Sequence, residues 1–249
     1  MIGAPMLAAR SAYRAGVGLV RVVMPRTVIA AALTLLPEAI GLGLDGEDGE
    51  DGDVDKLRKT FDKATALCAG PGLGDEPAAN DLLDAILDSG LPTVLDADAL
   101  NLLAARDAWP GLPGHVVITP HPGEMKRLLK HVPGRDEVPH DDDGRLDLAG
   151  AAQQALGGVL VLKGQRTVVR SAEGVYVNDT GDATLAKAGS GDVLAGLIGA
   201  LLAGGMPPAD AAVFAVHRHG LAGESVGRRR GTQGGLAHEV ADALCDVWR

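Results

Sequence analysis

Five short segments of this 249-residue chain combine reactive side chains with glycines that let backbone come close to a ligand. Gly70-Pro71-Gly72-Leu73-Gly74-Asp75 has three alternate glycines, which permit unusual dihedrals and close approach; a plain tight turn before Pro77 is the simpler alternative. Leu95-Asp96-Ala97-Asp98-Ala99-Leu100-Asn101 offers two carboxylates that can orient magnesium-bound water or a ribose hydroxyl, with Asp98 equally suited to cap a helix. In Thr119-Pro120-His121-Pro122-Gly123-Glu124 two prolines fix the chain, Gly123 leaves room for a ligand, and His121 and Glu124 fall near a helix N-terminus. Lys163-Gly164-Gln165-Arg166-Thr167 supplies backbone amides, a hydroxyl and a point charge suited to a nucleotide phosphate, or else is a surface hairpin. The fifth segment is Lys187-Ala188-Gly189-Ser190-Gly191-Asp192, which opens an apolar helix. Amides of Gly189, Ser190 and Gly191, aided by the helix dipole, suit an anion. Asp192 in the first turn can then take a proton from a substrate hydroxyl while those amides stabilise a moving phosphoryl group. The competing reading is a glycine turn with Asp192 serving the dipole alone.

Other chemistries lack their signatures. Neither G-x-G-x-x-G nor G-x-x-x-x-G-K-[ST] occurs, and there is no H-E-x-x-H. His217 and His219, two apart, cannot share a helix face. Ser190 has no assignable histidine and acid partners for a hydrolase triad. Arg228–Arg230 reads as a solvated helix end.

The elements that must position these segments alternate along the chain. Apolar runs of strand length fall at Gly18–Met24, Ala39–Leu44, Ala64–Ala69, Thr93–Asp96, His115–Thr119 and Val159–Lys163. Between and after them, helical patterns span Pro5–Ala15, Pro77–Ser89, Gly123–His131, Leu146–Leu156, Ser190–Ala203, Pro208–Val226 and Leu236–Val247. Continuous apolar strands separated by helices predict a parallel sheet covered on both faces. Thr167–Arg170 and Gly174–Val177 predict a late antiparallel hairpin. Val132–Gly144 is a loop within one α/β domain spanning residues 1–249. In such open sheets ligands bind beyond the carboxyl ends of the strands, where four of the five segments fall.

Composition narrows the partners. The chain is 46% hydrophobic and only 2% aromatic, and it carries a formal charge of −10. Acidity and scarce aromatics argue against a nucleic-acid surface. No apolar stretch reaches membrane-spanning length, and no signal peptide is visible. Cys68 and Cys245 alone exclude a disulfide framework, so reduced cytoplasm is expected. Asp45 to Asp55 holds seven acids and no base, so the rest of the chain carries only −3; a solvated acidic loop is expected there.

Taken together, G-S-G-D, P-H-P-G-E, D-A-D-A-L-N, L-K-G-x-x-T and the glycine triplet resemble the ADP/ATP-dependent NAD(P)H-hydrate dehydratases of the ribokinase-like superfamily. The resemblance runs from Gly3-Ala4-Pro5 to the apolar helix after Gly189 and beyond. It implies a ribokinase-like fold and removal of water from the S-epimer of 6-hydroxy NADH or NADPH, driven by ADP or ATP with magnesium. By that resemblance Asp192 deprotonates the 6-hydroxyl. Lys163, Gly164, Gln165, Arg166 and Thr167, with Gly189, Ser190 and Gly191, hold the nucleotide. Ala4, Gly72, Gly74, His121 and Asp192 line the hydrated dinucleotide site, and Glu124 meets magnesium through water. A homo-oligomer, commonly a tetramer, is implied too. Two departures stand out. Relatives carry a further strand and glycine-rich turn before Gly-Ala-Pro, where this sequence has Met1 and Ile2, so an edge element is expected to be missing. Relatives also carry Asn where Asp182 stands, which would put an added negative charge near phosphates. The alternative is a vitamin-precursor or sugar kinase of the same superfamily; His121 argues against it, because many such kinases have Asn there. A non-catalytic nucleotide-binding protein fits less well with an intact Gly-Ser-Gly-Asp turn.

Overall fold

The computed structural model describes residues 1–46 and 52–248. A six-stranded sheet has the order β3 (Leu67–Ala69), β4 (Thr93–Leu95), β5 (Leu112–Ile118), β6 (Gly157–Leu162), β7 (Val168–Arg170) and β8 (Val175–Val177). The first four are parallel, and β7 and β8 add antiparallel as the expected hairpin. Strands β1 (Arg21–Pro25) and β2 (Ile40–Leu44) are a parallel pair in a sheet of their own.

Strand alternation sends successive side chains to opposite faces, and the composition serves both. Leu95, Ile118, Leu160 and Leu162 turn to one core, packed by α4 (Pro77–Asp88), α5 (Ala97–Ala105), α6 (Pro122–Leu128) and α7 (Asp142–Leu156). Val94, Val117, Val159 and Val161 turn to the other, packed by α8 (Ser190–Ala203), α9 (Pro208–Arg230) and α10 (Ala237–Ala243). This two-sided burial explains why the strands read as unbroken apolar runs. A third, smaller core joins α1 (Gly3–Arg14), the β1–β2 pair and α2 (Arg26–Leu33) around Met6, Val22, Met24 and Ala32.

Helix α1 lies very close to α8. A Cβ on Gly196 would stand 2.1 Å from the Ala8 carbonyl oxygen. Beside that crossing the fully buried Ser11 hydroxyl donates to the Val193 carbonyl at 2.6 Å. Arg10 and Arg14 share Asp242 of α10, tying α1 to that helix as well.

Several expectations change. The acidic stretch is not simply a solvated loop: α3 (Asp53–Arg58) begins inside it. Asp53 is buried and accepts the amides of Asp45 and Gly46, because a carboxylate facing two N–H donors is stabilised even out of water. Asp45 pairs with Arg26 and Lys56. Glu47, Asp48, Glu50 and Asp51 lie outside the described residues. Helices α2 and α3 are both additions to the sequence reading, and α7 starts at Asp142, inside the expected loop, with Asp141 accepting the Gly144 amide at 2.8 Å. Among the described residues no helix is long and apolar enough to cross a membrane.

Candidate active site

The carboxyl ends of four parallel strands converge through backbone hydrogen bonds. Asp96 donates its amide to Ala69, Thr119 to Leu95, and Lys163 to Pro120, so the turns after β3 to β6 are laced edge to edge. At the first of these links Asp96 aims its carbonyl at Gly70, where a Cβ would come within 1.7 Å of the oxygen. Only glycine fits, and its φ of +117° suits no other residue. The next residue, Ala97, takes φ +47°, a conformation costing an alanine about 1–3 kcal/mol. That turn sets the Asp96 carboxylate beneath the cleft, 2% exposed, where it takes an ion pair from Lys163 Nζ at 2.6 Å.

Lys163 is therefore not a free phosphate ligand hanging from its loop. Its ammonium also stands 3.8 Å from Glu124 Oε2, and it is the nearest atom to a Cβ built on Gly191. Four of the sequence segments meet at this one cation. Asp192, in the first turn of α8, faces the same cluster. Burial, then the charges of Asp96, Asp98 and Glu124, push its carboxyl up to about 6, with Lys163 opposing. Such a value suits a group that must accept a proton near neutrality.

Glu124 and His121 form the cap of α6. His121 donates its backbone amide to Glu124 Oε2 at 2.8 Å, and its Nδ1 accepts from the Gly123 amide at 2.9 Å. With Nδ1 occupied as an acceptor, Nε2 carries the proton and lies 3.3 Å from Glu124 Oε1. Half the His121 side chain is exposed toward solvent, whereas Glu124 is 5% exposed and held above the usual carboxylate range chiefly by burial. The space at Gly123 serves this ring rather than a ligand, because a Cβ there would sit 2.8 Å from His121 Cε1.

Asp98 does not cap α5, whose N-cap position is Asp96. Its carboxylate instead accepts the Gly74 amide at 2.8 Å, holding the glycine triplet in place. Gly72 lies under the start of α1, with Met1 O and Pro5 Cδ about its Cα, which brings the turn of α1 containing Ala4 to the same rim. Thr167 is turned back to its own loop, donating to the Gly164 carbonyl at 2.9 Å, and Arg166 pairs with Asp142 at 2.9 Å. Gln165 is exposed.

The turn before α8 is anchored from both sides. Gly189 takes φ +90°, and a Cβ there would press on Leu7 and Ala237. Ser190 points away from the cleft: it is buried, and its hydroxyl lies 3.3 Å from His219 Nε2 of α9. Burial pushes that imidazole down to about 4, so it is neutral. The sequence weighs His219 only against His217 and assigns Ser190 no histidine, whereas the fold brings the two together; a histidine between Ala215-Val216 and Gly220 on a buried helix stripe is the available signal. Asp182 likewise lies apart from the cluster as a cap, accepting the Thr184 amide at 2.8 Å and packing against Gly227. Among the described residues no group of three or more His, Cys, Asp or Glu could by itself hold a metal ion.

Residues 1–245 match the family described as NAD(P)H-hydrate dehydratase. The bifunctional NAD(P)H-hydrate repair enzyme of Moorella thermoacetica is 39% identical across the whole chain, which covers 47% of that protein. That of Escherichia coli is 38% identical over 97% of the chain and 44% of its own length. The chain thus spans about half the length of these curated relatives. The ADP-dependent (S)-NAD(P)H-hydrate dehydratase of Bacillus subtilis is 34% identical, with 100% of this chain and 85% of that one aligned. Among solved structures, a Bacillus subtilis ADP/ATP-dependent NAD(P)H-hydrate dehydratase co-crystallised with ATP and Mg2+ superposes with a TM-score of 0.81 at 32% identity, covering 100% of this chain and 84% of that chain. A hydroxyethylthiazole kinase from Pyrococcus horikoshii, at TM-score 0.61 and 18% identity over 99% of this chain and 94% of its own, shares the ribokinase-like fold. By sequence, fold and the motifs gathered at its sheet edge, the chain belongs to the NAD(P)H-hydrate dehydratase family.

Proposed function

We propose that residues 1–245 act as one catalytic unit that dehydrates the S-epimer of 6-hydroxy NADH or NADPH at the expense of ADP or ATP. The observation that carries this reading is Asp192. Its carboxyl is pushed up to about 6 at the mouth of a helix N-terminus, among Asp96, Glu124 and Lys163. Asp192 takes the proton of the 6-hydroxyl, whose oxygen forms a bond to the terminal phosphorus of the nucleotide. The bridging P–O bond breaks, leaving AMP from ADP or ADP from ATP. Amides of the Gly189–Gly191 turn, with the dipole of α8 behind them, neutralise the moving phosphoryl group. The C–O bond then breaks with its electron pair leaving on phosphate, assisted by the ring nitrogen, and loss of a ring proton restores the reduced nicotinamide.

The loop from Lys163 to Thr167 holds the nucleotide through its backbone, while Ala4, Gly72, Gly74 and His121 line the hydrated dinucleotide. Magnesium fits as a companion of the nucleotide, because the acids here are engaged: Glu124 in its cap and Asp96 with Lys163. Glu124 would meet one of its waters, and the ion would offset phosphate charge. A cytoplasmic homotetramer is the expected setting, carried by the family resemblance, and light scattering on purified protein tests the tetramer. The activity is tested by incubating the protein with hydrated NADH, magnesium and either ADP or ATP, and following the reduced-nicotinamide absorbance. Recovery with one donor, abolished in Asp192→Asn, is expected. No recovery with either donor overturns the proposal.

A further inference from the structure

Arg145, in the first turn of α7, is a buried cation without a direct ion-pairing partner. It is 6% exposed, and among the described residues no carboxylate lies within ion-pairing distance of it. Asp142 in the same turn is engaged with Arg166 at 2.9 Å. Arg145 Nη2 donates to the carbonyls of Leu162 at 3.1 Å and Lys163 at 3.3 Å, and its buried Nε has no partner. Burial holds the guanidinium below its usual range, with the charge of Asp142 opposing from beyond ion-pairing distance. A cation left this way costs folding free energy.

Its position relates that cost to the nucleotide loop. The guanidinium lies directly against Gly164, where a Cβ would stand 3.1 Å from Nη2 and 3.3 Å from Nη1 at a φ of +141°. In a trans peptide the C=O and the following N–H point in opposite directions. The Leu162 carbonyl, drawn to Arg145, leaves the Lys163 amide aimed at Pro120, which accepts it at 2.9 Å. By the same geometry the Lys163 carbonyl leaves the Gly164 amide aimed away from Arg145, and that amide has no acceptor among the described residues. The lysine of the loop is spent on Asp96, so the unspent positive charge of this loop is the arginine beneath it.

We propose that Arg145 is a positioning residue for the nucleotide's phosphates: it fixes the outward aim of the Gly164 amide and places a buried positive charge with no ion-pairing partner behind it. Lys163, in turn, organises the acidic cluster around Asp192. The inference rests on the reading that this loop carries ADP or ATP. Burying an arginine with no acid partner is then a ground-state cost that an anionic ligand offsets on binding.

The test compares wild type with Arg145→Met and Arg145→Lys, measuring Kd for Mg-ADP by calorimetry, KM for hydrated NADH, and the melting temperature without ligand. For Arg145→Met the expected result is a Kd for Mg-ADP raised about tenfold or more. KM for hydrated NADH should stay within about twofold, and the unliganded melting temperature checks that the variant is folded. Arg145→Lys keeps the charge but cannot hold two carbonyls, so an intermediate loss is expected; it carries the test if the methionine variant does not fold. A Kd within twofold of wild type in the folded variants overturns the proposal, as does equal damage to ADP binding and to KM for hydrated NADH. Wild-type protein that fails to bind Mg-ADP would instead overturn the underlying reading of the loop.

Discussion

Replacing Asp192 with Asn should slow turnover by orders of magnitude and at the same time stabilise the protein. The carboxyl is moved from an ordinary 3.8 to about 6 by burial and by neighbouring acids. At full weight that disfavours the charged form by roughly 3 kcal/mol. Asp192 keeps contact with solvent, and screening brings the cost to about 1–2 kcal/mol. The sign follows from proton linkage: the folded protein binds this proton more tightly than the unfolded chain. The associated stability is whole below pH 3.8 and is lost as pH rises through about 6. At pH 8 wild type bears the whole cost and Asp192→Asn bears none. For a chain this long each kcal/mol moves the melting temperature by about 2–4 °C, so a rise of about 2–8 °C is expected. Near pH 5 the advantage should shrink by roughly half, because wild type is then mostly protonated there. Loss of the base should lower kcat by about 10²–10⁴. Thermal melts by circular dichroism at both pH values, beside the nicotinamide absorbance assay, read both quantities. A variant that melts at or below the wild-type temperature at pH 8 would refute the electrostatic argument, and one that turns over normally would refute the assignment of the base.

The acid limb of the kcat/KM profile should fall near pH 6 and move lower in Asp96→Asn, since Asp96 is the leading charge raising Asp192 and its loss frees Lys163 to act on it; an unmoved limb would exclude that coupling. Ser190→Ala strands a buried imidazole nitrogen and should cost about 1–2 kcal/mol in urea unfolding, with no pH dependence between 6 and 8, because His219 is already neutral there. Gly196→Ala should cost about 1–3 kcal/mol or more by forcing α1 off α8, read as a lower denaturation midpoint.

Much of this architecture was written in local pattern. Apolar runs such as Val159–Leu162 and the tight Ser190–Ala203 helix were legible because one short window carries each signal. The placement of four reactive segments at strand ends followed from the same windows. What stayed hidden was contact across long separations. Nothing in Lys163 or Asp96, 67 residues apart, says that they pair, and a lysine on a glycine loop reads as a ligand for phosphate. His219 and Ser190, 29 apart, were likewise separate facts. Helix α3 was obscured because charge counts describe a segment's sum, whereas Asp53 is buried through two particular amides. Helix α2, with Thr27-Val28-Ile29 at its start, carries strand-like side chains directly after β1, and its packing on β2 overrides that preference.

The close crossing of α1 and α8 has a consequence for how the protein can move. Ser11 on Val193, Gly196 against Ala8 and Gly189 against Leu7 lock the two helices along their shared length. One helix begins at the rim beside Gly72, and the other begins at the turn that carries Asp192. Sliding one helix along the other would break these contacts, so the spacing between the α1 start and Asp192 is fixed largely by their packing. On the proposed reading, any opening that admits a ligand would then fall to the turns after β4 to β6 on the other side of the cleft.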